Sequence, residues 1–484
     1  MYDSYILDPT GFDNPSNGVN NYNYISQQHV NAFNNNTTVV YPPNTTIYIT
    51  IPDDSFMIPL GKVENDFNNC TFIVTNLKRN LALFKFVNDN TPTTPSITKA
   101  KIKKDTVLSN SDTGVMIVKD LTTWTTRGTT PTDRYDAIYV KDGVLQNDPI
   151  STYNNTASNP YIQLFSAAET PFVFKNIKFQ RTTNSTFKTY LLSVDKQINI
   201  TINNVEITTP ISTSLINDEC IAIRNSCNIS ISNVTINGTY STNTEYGYGI
   251  HLDTVYDVYI YSLHVEYTKW GVFGNFNMNK LRIYNSTINR MDVHSYGRDI
   301  TCSSCTFKNE SSTTHRYNRF SSFFGKLTYS YCTFKFFMPI RIDSDYHAYT
   351  PFEAEMLSCT FEIDTTCNCL LYVIQPQLGS TPRPELANFN LPNIKITNAI
   401  MKIEASVSAL HLYGFSDITK ITAAGGVYGL DSIIVDISKI MQKKVPLIIM
   451  TETNKVFTAH ASNPVREYSN WVLAMMDSSN INFV

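Results

Sequence analysis

The chain has 484 residues, a formal net charge of −3 and 16% charged residues, against roughly 25% in an average protein. With no basic run, that balance argues against a phosphate-backbone partner, so no nucleic acid is expected. No apolar run reaches the roughly 20 residues that span a bilayer, and MYDSYILDPTGF lacks the basic-then-apolar order of a secretory signal; no membrane insertion is expected, and the nine cysteines should be reduced.

Residues 1–36 are Asn-rich, dotted with Tyr and poor in aliphatics, which reads as an extended polar arm or attachment segment. Thr37–Ile51 (TTVVYPPNTTIYITI) gives strand, Pro-Pro turn, strand, a cap of the kind that an open sheet end needs. Residues 66–86 form an early coil containing Asn69-Cys70-Thr71-Phe72. The stretch 87–168, rich in Thr, Asn and Pro, is either a long loop excursion or a small β-domain folded onto the rest.

From residue 172 an eight-residue phrase recurs: apolar, x, apolar, x, Asn or Ser, apolar, x, apolar. The copies are FVFKNIKF, ITINNVEI, ISISNVTI, VYIYSLHV, LRIYNSTI, ITCSSCTF, LTYSYCTF and AEMLSCTF. Their fifth positions are Asn176, Asn204, Asn233, Ser262, Asn285, Ser304, Tyr331 and Ser358, in steps of 28, 29, 29, 23, 19, 27 and 27. Alternation of period two sends one face inward, and the small polar residue in the middle marks a corner. Such a unit buries its apolar face by stacking on its own copies, as in a solenoid.

Between copies lies a second alternating strand: ECIAIR (Glu219–Arg224), GIHLD (Gly249–Asp253), WGVFG (Trp270–Gly274), RMDVH (Arg290–His294) and PIRID (Pro339–Asp343). The expected fold is all-β, a parallel β-helix with three short strands per coil, an N-terminal cap and a small C-terminal β element. It runs over 37–390, with the last coils and a cap or oligomerisation region over 391–484. There IKITNAIM and YGLDSIIV repeat loosely, and VPLIIM and EYSNWVLAMM change texture.

Cys-Thr-Phe occurs at Cys70, Cys305, Cys332 and Cys359, the last three 27 apart. They should stack on consecutive coils as free thiols, although a coil spacing of about 4.8 Å leaves a disulfide geometrically possible. Cys302 with Cys305, and Cys367 with Cys369, find no second pair at zinc-site spacing, so no metal and no cofactor is expected.

If Ile250, Leu252, Met291, Val293, Ile340 and Ile342 point inward, the residues between them point out. That exposes His251, Asp253, Arg290, Asp292, His294, Arg341 and Asp343 as a polar stripe. Asp292, Asp253, Asp343 and His294 are the catalytic candidates. Arg290, Arg298, Asp299, Arg341, His251, Trp270, Tyr248 and Tyr296 are the candidates for binding substrate, the aromatics as flat faces for sugar rings, with Phe273 and Tyr246 beside them. Asp253 and Asp292, two coils apart, should differ by roughly 10 Å along the axis, near the roughly 6.5–9.5 Å of an inverting carboxyl pair. Asp292 and Asp343 are similarly placed if Phe320–Phe324 supplies the intervening strand. A solvated ladder of Arg and Asp is the alternative reading.

The repeated phrase with three strands per coil resembles the right-handed parallel β-helix of the pectin-lyase-like superfamily, best over residues 170–375. The resemblance implies a ladder of corner asparagines, which Asn176, Asn204, Asn233 and Asn285 match and Ser262, Ser304, Tyr331 and Ser358 break. It also implies a polysaccharide groove along the second strand, used by hydrolases or, less readily here, by lyases. A polar arm, a cap, a β-helix and a distinct C-terminal end together resemble bacteriophage tailspikes. That resemblance implies a virion protein made in the host cytoplasm, a homotrimer, held to other tail proteins by its N-terminal arm and acting on surface polysaccharide. Open alternatives are a non-catalytic receptor-binding or structural virion protein, and a bacterial carbohydrate-active enzyme.

Overall fold

The computed structural model describes residues 5–7, 21–35, 37–50, 57–61, 64–75, 81–127, 130–150, 161–181, 189–208, 219–238, 240–241, 244–245, 247–294, 296–309, 315–321, 323–342, 353–373, 393–408, 410–415, 433–442, 447–448, 457–459 and 481–483. Two compact units divide the chain, one of residues 1–121 and 135–273, the other of 122–134 and 274–484.

In the first unit the phrase copies lie in parallel register, with Phe174 beside Ile202, Ile202 beside Ile231 and Ile231 beside Ile260. These residues alternate with polar ones, so one column of β-branched and aromatic side chains faces inward and is buried. Leu81–Val87, Thr189–Asp195 and the starts of Glu219–Asn237 and Tyr248–Glu266 stack as the second strand, also in parallel. This is a parallel β-helix.

The corner residues explain the phrase. Asn176, Asn204, Asn233 and Ser262 have φ of 59°, 53°, 53° and 55°, the left-handed region that Asn tolerates because its short amide bonds locally. A run of corner amides is present: Asn204 Nδ2 donates to Asn176 Oδ1 at 2.8 Å and to Asn69 Oδ1 at 3.2 Å, and Asn176 Nδ2 donates to Asp66 Oδ1 at 2.9 Å.

The segment read as an extended arm contains the α-helix Tyr22–Asn34, whose Tyr22, Ile25, His29 and Ala32 are buried. His29 sits among Tyr41, Phe67 and Phe84. Burial pushes its pKa down to about 3. The insertion 87–168 is a small β-domain, with a sheet ordered Tyr161–Ser166, Gly114–Arg127, Thr130–Lys141, Val144–Leu145. One face packs Met116, Val118, Ile138, Val140 and Leu164 on its own loops. The other packs Val115, Ile117, Ala137 and Phe165 on Ile198 and Cys227 of the β-helix.

Within the second unit three strands per coil again run in parallel: Ile300 beside Leu327, Leu327 beside Ala354, Ala354 beside Ile394 and Ile394 beside Ile433. Corners at Asn285, Ser304, Tyr331, Ser358 and Asn398 again have φ between 48° and 55°. Phe307, Phe334 and Phe361 stack with ring centroids 5.2 and 5.3 Å apart and nearly parallel planes. Cys305, Cys332 and Cys359 stack next to them as buried free thiols whose Sγ atoms reach backbone carbonyls at 3.3–3.5 Å. Asn393–Ile403, which contains IKITNAIM, pairs in parallel with Glu353–Leu357, whereas Glu467–Met476 lies outside the described residues.

Candidate functional site

In the second unit, Met291–Val293, Tyr317–Phe320 and Met338–Ile342 lie side by side, with Asp292 in register with Arg319 and Arg319 with Arg341. Met291 and Val293 are wholly buried in the core, so the pleat turns Asp292 to the other face. Its carboxylate is nevertheless 0% exposed. His294 Nδ1 lies 3.1 Å from Asp292 Oδ2, and Arg319 Nη1 lies 3.8 Å from the same oxygen. Among the described residues, Asp292 Oδ1 has no hydrogen-bond partner.

Tyr317 carries two guanidiniums, those of Arg341 and Arg290, at 4.1 and 5.1 Å from its ring centroid. Cation–π attraction holds both charges on the Tyr317 ring. Behind them Asn318, 0% exposed, accepts the Met291 N–H at 2.9 Å and donates to the Tyr329 hydroxyl at 3.1 Å. That hydroxyl donates to Pro339 O at 3.3 Å. The buried chain ties all three strands together and holds the outer charges on a rigid base. A carboxylate removed from water needs compensation; here a histidine and an arginine cover one oxygen and leave the other as an unused acceptor, next to guanidinium donors suited to hydroxyls and carboxylates.

Asp292 and His294 are in contact, and Arg290 and Arg341 share the Tyr317 ring, but these residues do not form an open stripe. Arg290 (1%) and Asp292 (0%) are buried, because neighbouring side chains cover the face that alternation alone presents to water. The strand between Asp292 and Arg341 is Tyr317–Phe320, not Phe320–Phe324. The phrase measures corner to corner, whereas the length of chain from corner to strand varies. Arg298 and Asp299 do not join the site: Arg298 is in register with Asn279 and Phe324. Asp299 is a corner with φ 51° whose Oδ1 accepts the Lys326 N–H at 2.9 Å. Tyr296, 1% exposed, offers no face for stacking, and Asp343 lies outside the described residues.

In the first unit His251 is also buried, with Nδ1 2.6 Å from Oε2 of the buried Glu219. Tyr248 stacks on Phe273, ring centroids 4.5 Å apart. Trp270 is 3% exposed; it shares the parity of the inward Val272, so it packs inside and presents no flat surface. Tyr246 is outside the described residues. Asp253, in register with Arg224, accepts a bond from Thr254 at 3.0 Å and belongs to the column Asp195, Arg224, Asp253, a ladder of alternating charge. With Asp253 in the first unit and Asp292 in the second, each carboxylate has its own set of neighbours.

Sequence reasoning did not single out Glu219, Arg319 or Tyr317. Arg319 follows Asp292 by 27 residues, the step of the later phrase copies, which was a usable signal. Glu219 had none, since the first residue of an alternating strand gives no sign of what will fold over it.

No family model matches this sequence, and no curated protein matches it. Among solved structures, the fold is similar to that of the tailspike protein gp49 from Pseudomonas phage LKA1, with TM-score 0.54 and 12% identity over 86% of this chain and 74% of that one. Weaker similarities are to the Gp54 tailspike of Acinetobacter baumannii bacteriophage AP22 in complex with A. baumannii capsular saccharide (TM-score 0.43, 10% identity, 95% and 76% covered) and to the tailspike gp61 of Pseudomonas phage phi297 (0.40, 11%, 87% and 72%). At these identities the shared property is the parallel β-helix.

Proposed function

We propose that this protein is a virion tailspike that binds the surface polysaccharide of a host cell at the Asp292, Arg319 and Arg341 face of the second unit. The observation that carries the reading is the partly exposed rim over the buried Asp292: His294 and Arg319, each with 12% of its side chain exposed, cover one carboxylate oxygen, and Arg341, in register with Arg319, lies on Tyr317. Guanidiniums at such a rim donate to ring, hydroxyl or carboxylate oxygens of a glycan. The fold supports the virion setting, since gp49 of phage LKA1, which shares it, is a tailspike. Assembly as a homotrimer, attachment to other tail proteins through the N-terminal segment and synthesis in the host cytoplasm belong to the same reading.

Affinity electrophoresis through gels cast with surface polysaccharides from a panel of bacterial strains tests it. Wild type should be retarded by at least one polysaccharide, and Asp292→Asn and Arg341→Met should each be retarded at least tenfold more weakly in the same gel. Retardation by none, or equal retardation of all three proteins, contradicts it.

A second reading, hydrolysis of the bound glycan, is favoured by the contact between His294 and Asp292, in which a carboxylate and a proton carrier meet. Mass spectrometry of wild-type digests should then show saturated fragments lengthened by one water, absent with Asp292→Asn. Unsaturated fragments would favour a lyase, and intact polymer a protein that only binds.

A further inference from the structure

The first unit holds a second polar cluster with an unused atom. Glu219 begins one strand and is in register with Tyr248, while His251 is in register with Ala222. His251 Nδ1 lies 2.6 Å from Glu219 Oε2. Arg224 Nη2 lies 3.5 Å from the same oxygen, and Arg224 Nη1 reaches Ser193 Oγ at 3.4 Å.

Where Nδ1 of a neutral ring donates to the carboxylate, Nε2 is a lone-pair acceptor. That nitrogen is buried and has no hydrogen-bond partner among the described residues, in a side chain only 8% exposed. Buried acceptors are satisfied in nearly all folded proteins, and a carboxylate that fixes the tautomer of a histidine also fixes where its free lone pair points. Phe273 meets the ring edge-on at 4.9 Å and Tyr248 stacks on Phe273. Tyr248 and Arg224 are the members of the cluster that keep partial exposure.

We propose that Glu219 and His251 form a second glycan-binding site, in which His251 Nε2 accepts a hydrogen bond from a sugar hydroxyl and Tyr248 lies against the sugar ring. Glu219 is a positioning residue that holds the imidazole in the accepting tautomer. The inference rests on the polysaccharide-binding reading above and concerns residues separate from those of the Asp292 face.

The test uses the full chain and, as probe, the polysaccharide of the panel that retards wild type most strongly. His251→Phe removes the acceptor while keeping a ring, and Glu219→Gln keeps the shape but frees the imidazole to adopt either tautomer. Each should weaken retention at least tenfold at a temperature where circular dichroism shows the variant folded. Should His251→Phe fold poorly, His251→Gln, which can still reach Glu219 but presents no ring nitrogen, decides with the same threshold. Equal retention of the variants and wild type overturns this site and leaves the Asp292 reading standing, whereas retention of no polysaccharide by wild type overturns both.

Discussion

At the scale of single residues, the corners carry the most direct physical lesson. Every fifth position of the phrase has a left-handed backbone, a conformation that costs an ordinary L-residue roughly 1–2 kcal/mol and Asn less. The alternation made these positions legible as corners, but not the sign of φ, and so not the reason for the asparagines. Tyr331, with φ 54° and 63% exposure, occupies a corner without the local amide bonding that suits Asn. Tyr331→Asn should therefore stabilise the fold by about 0.5–1 kcal/mol, read from urea midpoints; no change or a loss would show that the tyrosine ring contributes there. His29 gives a prediction in pH. Its folded pKa of about 3 lies below the unfolded value of about 6.5, so the unfolded chain binds the extra proton. The stabilisation is full above about pH 6.5 and falls by about 1.4 kcal/mol per pH unit as pH drops toward 3. Urea midpoints of wild type should decline across that window more steeply than those of His29→Gln, and parallel curves would contradict the assignment. The burial of Asp292 was not legible for a different reason: alternation tells which face a side chain takes, not that His294 and Arg319 will close over it.

At the scale of elements, period two was enough to give three strands per coil and to put Phe307, Phe334 and Phe361 in one stack. Phe334 has a ring on either side and is 0% exposed, so Phe334→Ala should cost about 3–5 kcal/mol, measured by denaturant unfolding; a cost under about 1 kcal/mol would mean that the stack collapses to fill the space. The cysteines beside it bear out the expectation of free buried thiols. All nine are buried, so a thiol reagent should label none in the native protein and nine after denaturation, and rapid native labelling would contradict the packing. The helix Tyr22–Asn34 was overlooked because its Asn-rich composition has weak helix propensity. Its buried residues, Tyr22, Ile25, His29 and Ala32, nevertheless follow helical spacing. The insertion 87–168 defeated the phrase because its sheet is antiparallel and buried on both faces, one of them against β-helix residues far along the chain.

At the scale of the whole molecule, repetition specifies the scaffold and departures from repetition specify the candidate site. The inward columns are interchangeable apolar residues, coil after coil. The outward residues of the second strand in the second unit are not: Asp292, Arg319 and Arg341 follow one another in register with Tyr317 holding two of the local guanidiniums. The proposed glycan site rests on this departure, in which a buried carboxylate carries one oxygen without a partner among the described residues. Isothermal titration calorimetry of wild type and Arg341→Met, with an oligosaccharide prepared from the polysaccharide that retards wild type, tests this most directly. A lost charged hydrogen bond is worth about 1.5–3 kcal/mol, so the variant should bind at least tenfold more weakly at an unchanged melting temperature; equal affinity would contradict the account.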